Sequence, residues 1–365
     1  MKGIKITPLY SIHNKLGATF DVRHEDWNVA VKFTDPIAEH HAVRNDVGIA
    51  DVSYFGTLRL TREDRAKFLH RLISNDVENL ANGEGNYATL LTNRGKIIGD
   101  LRVYVFNDTI YISTAPENVG QVFAELDKYI IADDVELSVE TENVGTIGVY
   151  GPNSPELLQA ALGIDEASTL PEYHSVYCEI EDRWVSCVRT NIVGECGYHI
   201  YTSATALEWL WEKLTSECDG VVPIGWDAAE TLRIEAGTPR YGAELTDAVI
   251  PLEAELEHAI DFEKGCYIGQ EIVARMKYRG HPNRLLRGLV IDAEKPAQQN
   301  APIFNEDKEI GWVTSSVYSP TLSKPIALAY VRMVVTEPGS KVQIETSAGR
   351  VKGTVVGLPF ISNEP

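Results

Sequence analysis

Thiols, basic charge and long apolar runs are what this 365-residue chain has little of. The five cysteines, Cys178, Cys187, Cys196, Cys218 and Cys266, form an odd, thinly spread set. That excludes a disulfide framework and points to a reducing compartment. Against 33 Lys and Arg stand 53 Asp and Glu, a formal net charge of −20, which argues against a nucleic-acid or membrane-surface binder. No apolar stretch approaches the ~20 residues of a bilayer span, and residues 1–8 lack the apolar core of a signal peptide. A cytoplasmic protein is the expectation. The close Cys pairs of zinc sites are also missing. Cys178, Cys187 and Cys196, with His174 and His199 nearby, read better as thiols on successive strands. Gly151-Pro152-Asn153 precedes a helix but lacks the Lys and spacing of a phosphate loop.

What remains is an ordinary globular composition, 44% hydrophobic and 24% charged, in a chain long enough for two or three domains. Alternation predicts strands at 57–61, 87–91, 99–106 and 109–113, with Asn107-Asp108 as a hairpin turn. Helical spacing marks 65–73, 119–129, 204–214 and 226–235. Strands at 146–150, 184–189 and 198–201 belong to a second, similar cycle. Helices and hairpins without regular βαβ units predict an α+β fold over 1–283. From 284 to 365 short strands separated by Glu294-Lys295-Pro296, Asn305-Glu306-Asp307 and Glu337-Pro338-Gly339 predict a small all-β barrel.

One segment carries candidate chemistry. Residues 269–278 have helical spacing, with Gly280 as the stop and Glu271 four residues before Arg275. Cys266 falls just before that helix, where the macrodipole and Lys264 favour a thiolate. A buried structural thiol is the other reading. Arg275, Lys277, Arg279, His281, Arg284 and Arg287 form a basic island close by, either a solvated face with ion pairs or an anion site.

Lys264-Gly265-Cys266-Tyr267-Ile268-Gly269-Gln270-Glu271 and the run on to Gly280 resemble the signature of YgfZ proteins. That resemblance implies a folate-binding factor in iron–sulfur cluster assembly or repair, with Cys266 as its working residue and cluster-assembly or client proteins as partners. The rest of the chain resembles the glycine-cleavage T-protein, an aminomethyltransferase using tetrahydrofolate and a lipoyl carrier protein. The resemblance rests on Thr7-Pro8-Leu9-Tyr10, Glu39 to Arg44, Asp51-Val52-Ser53, Ser74 to Val77, Ile131 to Leu137 and Ser319 to Val331. It implies three domains in a ring around a central folate channel, with Tyr87, Asp100, Glu195, His199 and Arg233 as folate-binding positions and Asp100 as a catalytic base beside Cys266.

Three departures from the T-protein pattern stand out. Asn191-Ile192-Val193-Gly194-Glu195-Cys196-Gly197-Tyr198-His199 keeps the frame of its folate strand, but His199 takes the place of a Glu. Ala229 stands where an Arg precedes Leu232-Arg233-Ile234-Glu235-Ala236-Gly237. Gly99-Asp100 replaces an Asp-Asp pair. These departures favour the YgfZ reading over aminomethyl transfer or a related demethylase, with a non-catalytic folate sensor as a weaker alternative.

Overall fold

The computed structural model describes residues 3–361 apart from Glu25, Asp219 and Ala348. Its centre is two sheets facing one another. Gly85–Leu91, Ile97–Phe106, Thr109–Thr114, Gly56–Thr61 and Glu136–Val139 form a five-stranded sheet in that order. Ser175–Ile180, Arg183–Thr190, Gly197–Ser203, Val144–Tyr150, Gly48–Asp51 and Val222–Pro223 form a six-stranded one.

Each sheet has a helix-covered outer face with its own apolar core. Phe68, Leu69, Val122 and Leu126 pack from helices Arg65–His70 and Val119–Asp127 against Leu58, Leu101, Val103 and Ile112. Leu157, Leu158, Leu207 and Trp211 pack similarly against Ile147, Cys187 and Ile200. Side chains alternate across a strand, so Leu101, Val103 and Val105 turn to the helices. Asp100, Arg102 and Tyr104 turn towards the other sheet.

The third body is a closed barrel, Arg284–Ile291, Lys324–Arg332, Lys308–Ser319, Pro302–Asn305, Lys341–Thr346 and Gly349–Val356 in order around it. Closure leaves no free strand edge. Two buried carboxylates clamp it to the rest. Glu235, on helix Trp226–Glu235, accepts from His40 Nε2 at 2.7 Å, Arg44 Nη2 at 2.5 Å and Ser319 Oγ of the barrel. Glu244 accepts from Arg233 Nη1 at 3.0 Å and from the barrel hydroxyls Thr314 and Ser315 at 2.7 and 2.6 Å.

The α+β fold and the C-terminal barrel agree with the sequence reading. Helix Trp226–Glu235 matches its predicted bounds, whereas the predicted helix at 204–214 opens with a 3-10 turn, Ala204–Ala206, before Leu207–Ser216. Among the described residues no helix is long and apolar enough to cross a membrane.

Candidate active site

Between the two sheets lies a polar cavity of about 340 Å³, walled by Tyr87, Arg102, Tyr173, Thr190, Asn191 and His258. Hairpin register places its central groups. Tyr87 on Gly85–Leu91 is paired with Arg102 on Ile97–Phe106, and Thr89 with Asp100. The ring of Tyr87 is nearly parallel to those of Tyr173 and His258, with centroids 6.1 and 5.6 Å away. This makes an aromatic wall of the kind that holds flat rings.

Asp100 is 3% exposed. Its Oδ2 accepts from the Tyr87 hydroxyl at 3.1 Å and from Arg102 Nη1 at 3.4 Å. Its Oδ1 is buried without a partner. A buried acceptor left open costs ~1–3 kcal/mol. Burial, and then the Asp100 charge, push the Tyr87 hydroxyl far above its ordinary value, so it stays protonated and donates. Burial opposes the charge on Arg102, but Asp100 outweighs it and keeps the guanidinium protonated.

His199 reaches this region from strand Gly197–Ser203. Its Nε2 lies 2.9 Å from the Tyr150 hydroxyl, and its Nδ1 is buried without a partner. Burial and then the Arg102 charge lower its pKa to about 3, so the ring is neutral at physiological pH. The position therefore offers no carboxylate to a donor-rich ring.

The other predicted site residues lie elsewhere. Glu195 pairs with Arg44 at 2.5 Å, and that Arg also holds Glu235. Arg233 donates to both Glu230 oxygens, Glu244, the Thr238 carbonyl and Ser315. These contacts make Glu195 and Arg233 parts of the interdomain clamp, not walls of the cavity.

Cys266 is exposed, and it lies outside the cavity lining. The buried-thiol reading does not describe it. Its segment has an architectural task instead. Lys264 Nζ donates to the carbonyls of His70, Ile73 and Asn75. Gly269, at φ +86°, sits so close to the 92–95 turn that a Cβ would lie 2.7 Å from the Thr92 carbonyl oxygen. The helix that follows, Gln270–Arg279, has no Glu271–Arg275 ion pair among the described residues. Much of the basic island is paired: Lys277 with Glu257, Arg284 with Glu253 and Arg287 with Glu255. No cluster of the described residues is arranged to hold a metal ion.

The sequence reading missed Arg102, Tyr173, Thr190 and His258. The signal for Arg102 was present: Asp100, Arg102 and Tyr104 alternate with apolar residues, so two charges share one face of a central strand. The others come from a turn, the 3-10 helix Glu257–Ala259 and a distant strand, which only the fold brings together.

The GCVT N-terminal domain matches residues 9–264, and the glycine cleavage T-protein C-terminal barrel domain matches residues 284–361. An aminomethyltransferase of Desulforamulus reducens is 32% identical over 366 residues, covering 100% of both chains. One from Cutibacterium acnes is 32% identical over 370 residues, covering 99% of each. The crystal structure of the glycine cleavage system aminomethyltransferase T from Bartonella henselae superposes with a TM-score of 0.91 at 26% identity, covering 99% of both chains. These full-length likenesses overturn the iron–sulfur reading suggested by the Cys266 segment. The relatives are aminomethyltransferases along the entire chain, and Lys264 and Gly269 of the segment serve packing.

Proposed function

We propose, for a chain that belongs to the glycine cleavage T-protein family, a cytoplasmic tetrahydrofolate-dependent transferase of one-carbon groups. Aminomethyl transfer is the activity its relatives' names suggest, with a lipoyl carrier protein as the donor that the family resemblance implies. The observation that carries the reading is a cavity walled by the near-parallel rings of Tyr87, Tyr173 and His258, with Tyr87 and Arg102 of that wall in contact with Asp100, whose Oδ1 has no partner among the described residues.

The residues fit a reduced folate in two respects. The Tyr173–Tyr87–His258 wall matches a flat ring, and Asp100 Oδ1 matches an N–H donor beside it. Bound tetrahydrofolate supplies the nitrogen nucleophiles that accept the one-carbon unit. With tetrahydrofolate bound, Asp100 would be the proton acceptor for that nitrogen. Tyr87 holds Asp100 in place through the 3.1 Å hydrogen bond. Burial between two sheets keeps water from the transferred carbon.

The direct test is formation of methylene-tetrahydrofolate from tetrahydrofolate and an aminomethylated lipoyl carrier, beside calorimetric titration with tetrahydrofolate. Binding in the micromolar range, lost with turnover in Asp100→Asn, is the expected result. A chain that takes up no tetrahydrofolate would refute the proposal.

A further inference from the structure

The space between the two sheets holds a second cavity, of about 220 Å³, that shares no lining residue with the first. Six rings form most of its wall. Tyr104, Phe106 and Tyr111 come from the five-stranded sheet, and Tyr177, Trp184 and Tyr201 from the six-stranded one. Strand register explains the hollow. Ser186 is paired with Tyr177 on one side and with Tyr201 on the other, so a small side chain lies between two large ones across three strands. In the facing sheet Ser113 is paired with Thr57, and Tyr104 with Tyr111. Tyr104, Ser113 and Ser186 are buried, whereas Tyr177 is 54% exposed, so the cavity opens on the side of Tyr177. Its walls stand on strands rather than loops, which fixes their shape before anything enters.

We infer that this cavity is a second binding site, for an uncharged aromatic molecule of one or two fused rings that is not the folate. No Asp, Glu, Lys, Arg or His is among the lining residues. Burial pushes the phenols of Tyr104, Tyr111 and Tyr201 above their usual value, so they stay neutral. A charged ligand would lose its hydration here and gain no opposite charge. A pterin fits poorly for a related reason, since its row of N–H donors would meet no carboxylate. An aromatic ring instead finds aromatic faces and edges around it, the partners with which flat rings pack best. Size sets the upper limit. An engineered apolar cavity of ~150 Å³ binds benzene, and the larger volume here leaves room for a second fused ring. The inference stands apart from the folate reading, because the two cavities differ in walls and in chemistry.

The test is calorimetric titration of the full chain with indole, indole-3-acetate and tryptamine, which share a ring system and differ in charge. Indole is expected to bind once per chain with a dissociation constant of about 1 mM or below. The anion and the cation should each bind at least about tenfold more weakly. Ser186→Phe should abolish indole binding by filling the hollow, and it breaks no hydrogen bond, because Ser186 Oγ has no partner among the described residues. Equal affinity for the three probes, or none for indole, overturns the proposal. So does indole binding that survives Ser186→Phe, since the ring would then sit elsewhere. If Ser186→Phe does not fold, as circular dichroism would show, Tyr177→Ala takes its place. Cutting back this exposed ring at the mouth should weaken indole by about threefold or more, and an unchanged affinity overturns the proposal equally. Displacement of indole by tetrahydrofolate would make the cavity part of the folate site and overturn its independence. A chain that binds indole but no tetrahydrofolate supports the second site and refutes the folate reading. The converse does the reverse.

Discussion

Asp100 and Arg102 stand two residues apart on one face of the same strand, and their single contact is 3.4 Å long, so each keeps unpaired hydrogen-bonding capacity inside the protein. A pair optimised for stability would close to a short, bidentate bridge. Arg102 of this open pair lines the cavity, and the first two predictions follow from the pair.

Asp100→Asn keeps the volume and the Tyr87 contact but removes the proton acceptor. Turnover should fall by about 10²–10⁴, the range of general acid–base contributions, with thermal unfolding nearly unchanged. Steady-state rates beside a melting curve check it. A variant with wild-type turnover would remove Asp100 from the mechanism.

Tyr87→Phe deletes the 3.1 Å bond to Asp100 while keeping the ring beside Tyr173 and His258. Turnover should drop about tenfold or more, whereas folate affinity, which depends on the ring face, should change little. A Kd that rises in step with the rate loss would count against this division of labour.

His199 gives the protein an early acid sensitivity. Its pKa is about 3 when folded and 6.5 ordinarily. Between those values the unfolded chain binds a proton that the folded chain does not, so stability falls as pH drops from 6.5 towards 3. The slope is about 1.4 kcal/mol per pH unit at most. Glu230 is buried, but Arg233 more than offsets this and holds its pKa at about 2, so its stabilisation is lost only as pH falls below 4.5. Guanidinium melts at successive pH values should show His199→Gln flattening the profile between pH 6.5 and 4.5. An unaltered slope there would mean His199 is already charged when folded.

Glu235→Ala should be among the most damaging substitutions away from the cavity. It leaves Arg44 and His40 facing each other around an empty buried position. Removing one partner of a buried pair costs about 3–5 kcal/mol. Denaturant titration should register that loss, and a change below about 1 kcal/mol would show the clamp to be dispensable.

Cys266→Ala should be silent in turnover and in thermal stability, because the side chain is exposed and outside the cavity lining. Lys264→Met, two residues away, should destabilise by about 2–4 kcal/mol through three carbonyls left without their donor. Equal effects of the two substitutions on turnover would restore a chemical role to the thiol.

The contrast between those neighbours shows what the sequence could and could not say. Period and turn chemistry located most elements, because the Ile97–Phe106 strand and the Trp226–Glu235 helix form where local pattern and tertiary packing agree. Asp100 and Tyr87 were legible through family resemblance, and the charge at Arg102 through alternation. Glu195 and Arg233 look like ligand groups in one dimension, yet each is claimed by partners distant in sequence, Arg44 for one and Glu244 with Ser315 for the other. The Cys266 segment misled for the same reason. Its Lys and Gly answer to a carbonyl cluster and a tight turn that no local window contains.

The two carboxylate clamps have an outcome for how this protein can be divided. Glu235 and Glu244 belong to the first two-thirds of the chain, yet Ser319, Thr314 and Ser315 come from the barrel. A cut between Arg279 and Arg284 would strip hydroxyl donors from both acids at once. The barrel is therefore not a portable cassette. Shuffling it between homologues should succeed only when the hydroxyls travel with it, and the two fragments, co-expressed, should find each other as a split protein does.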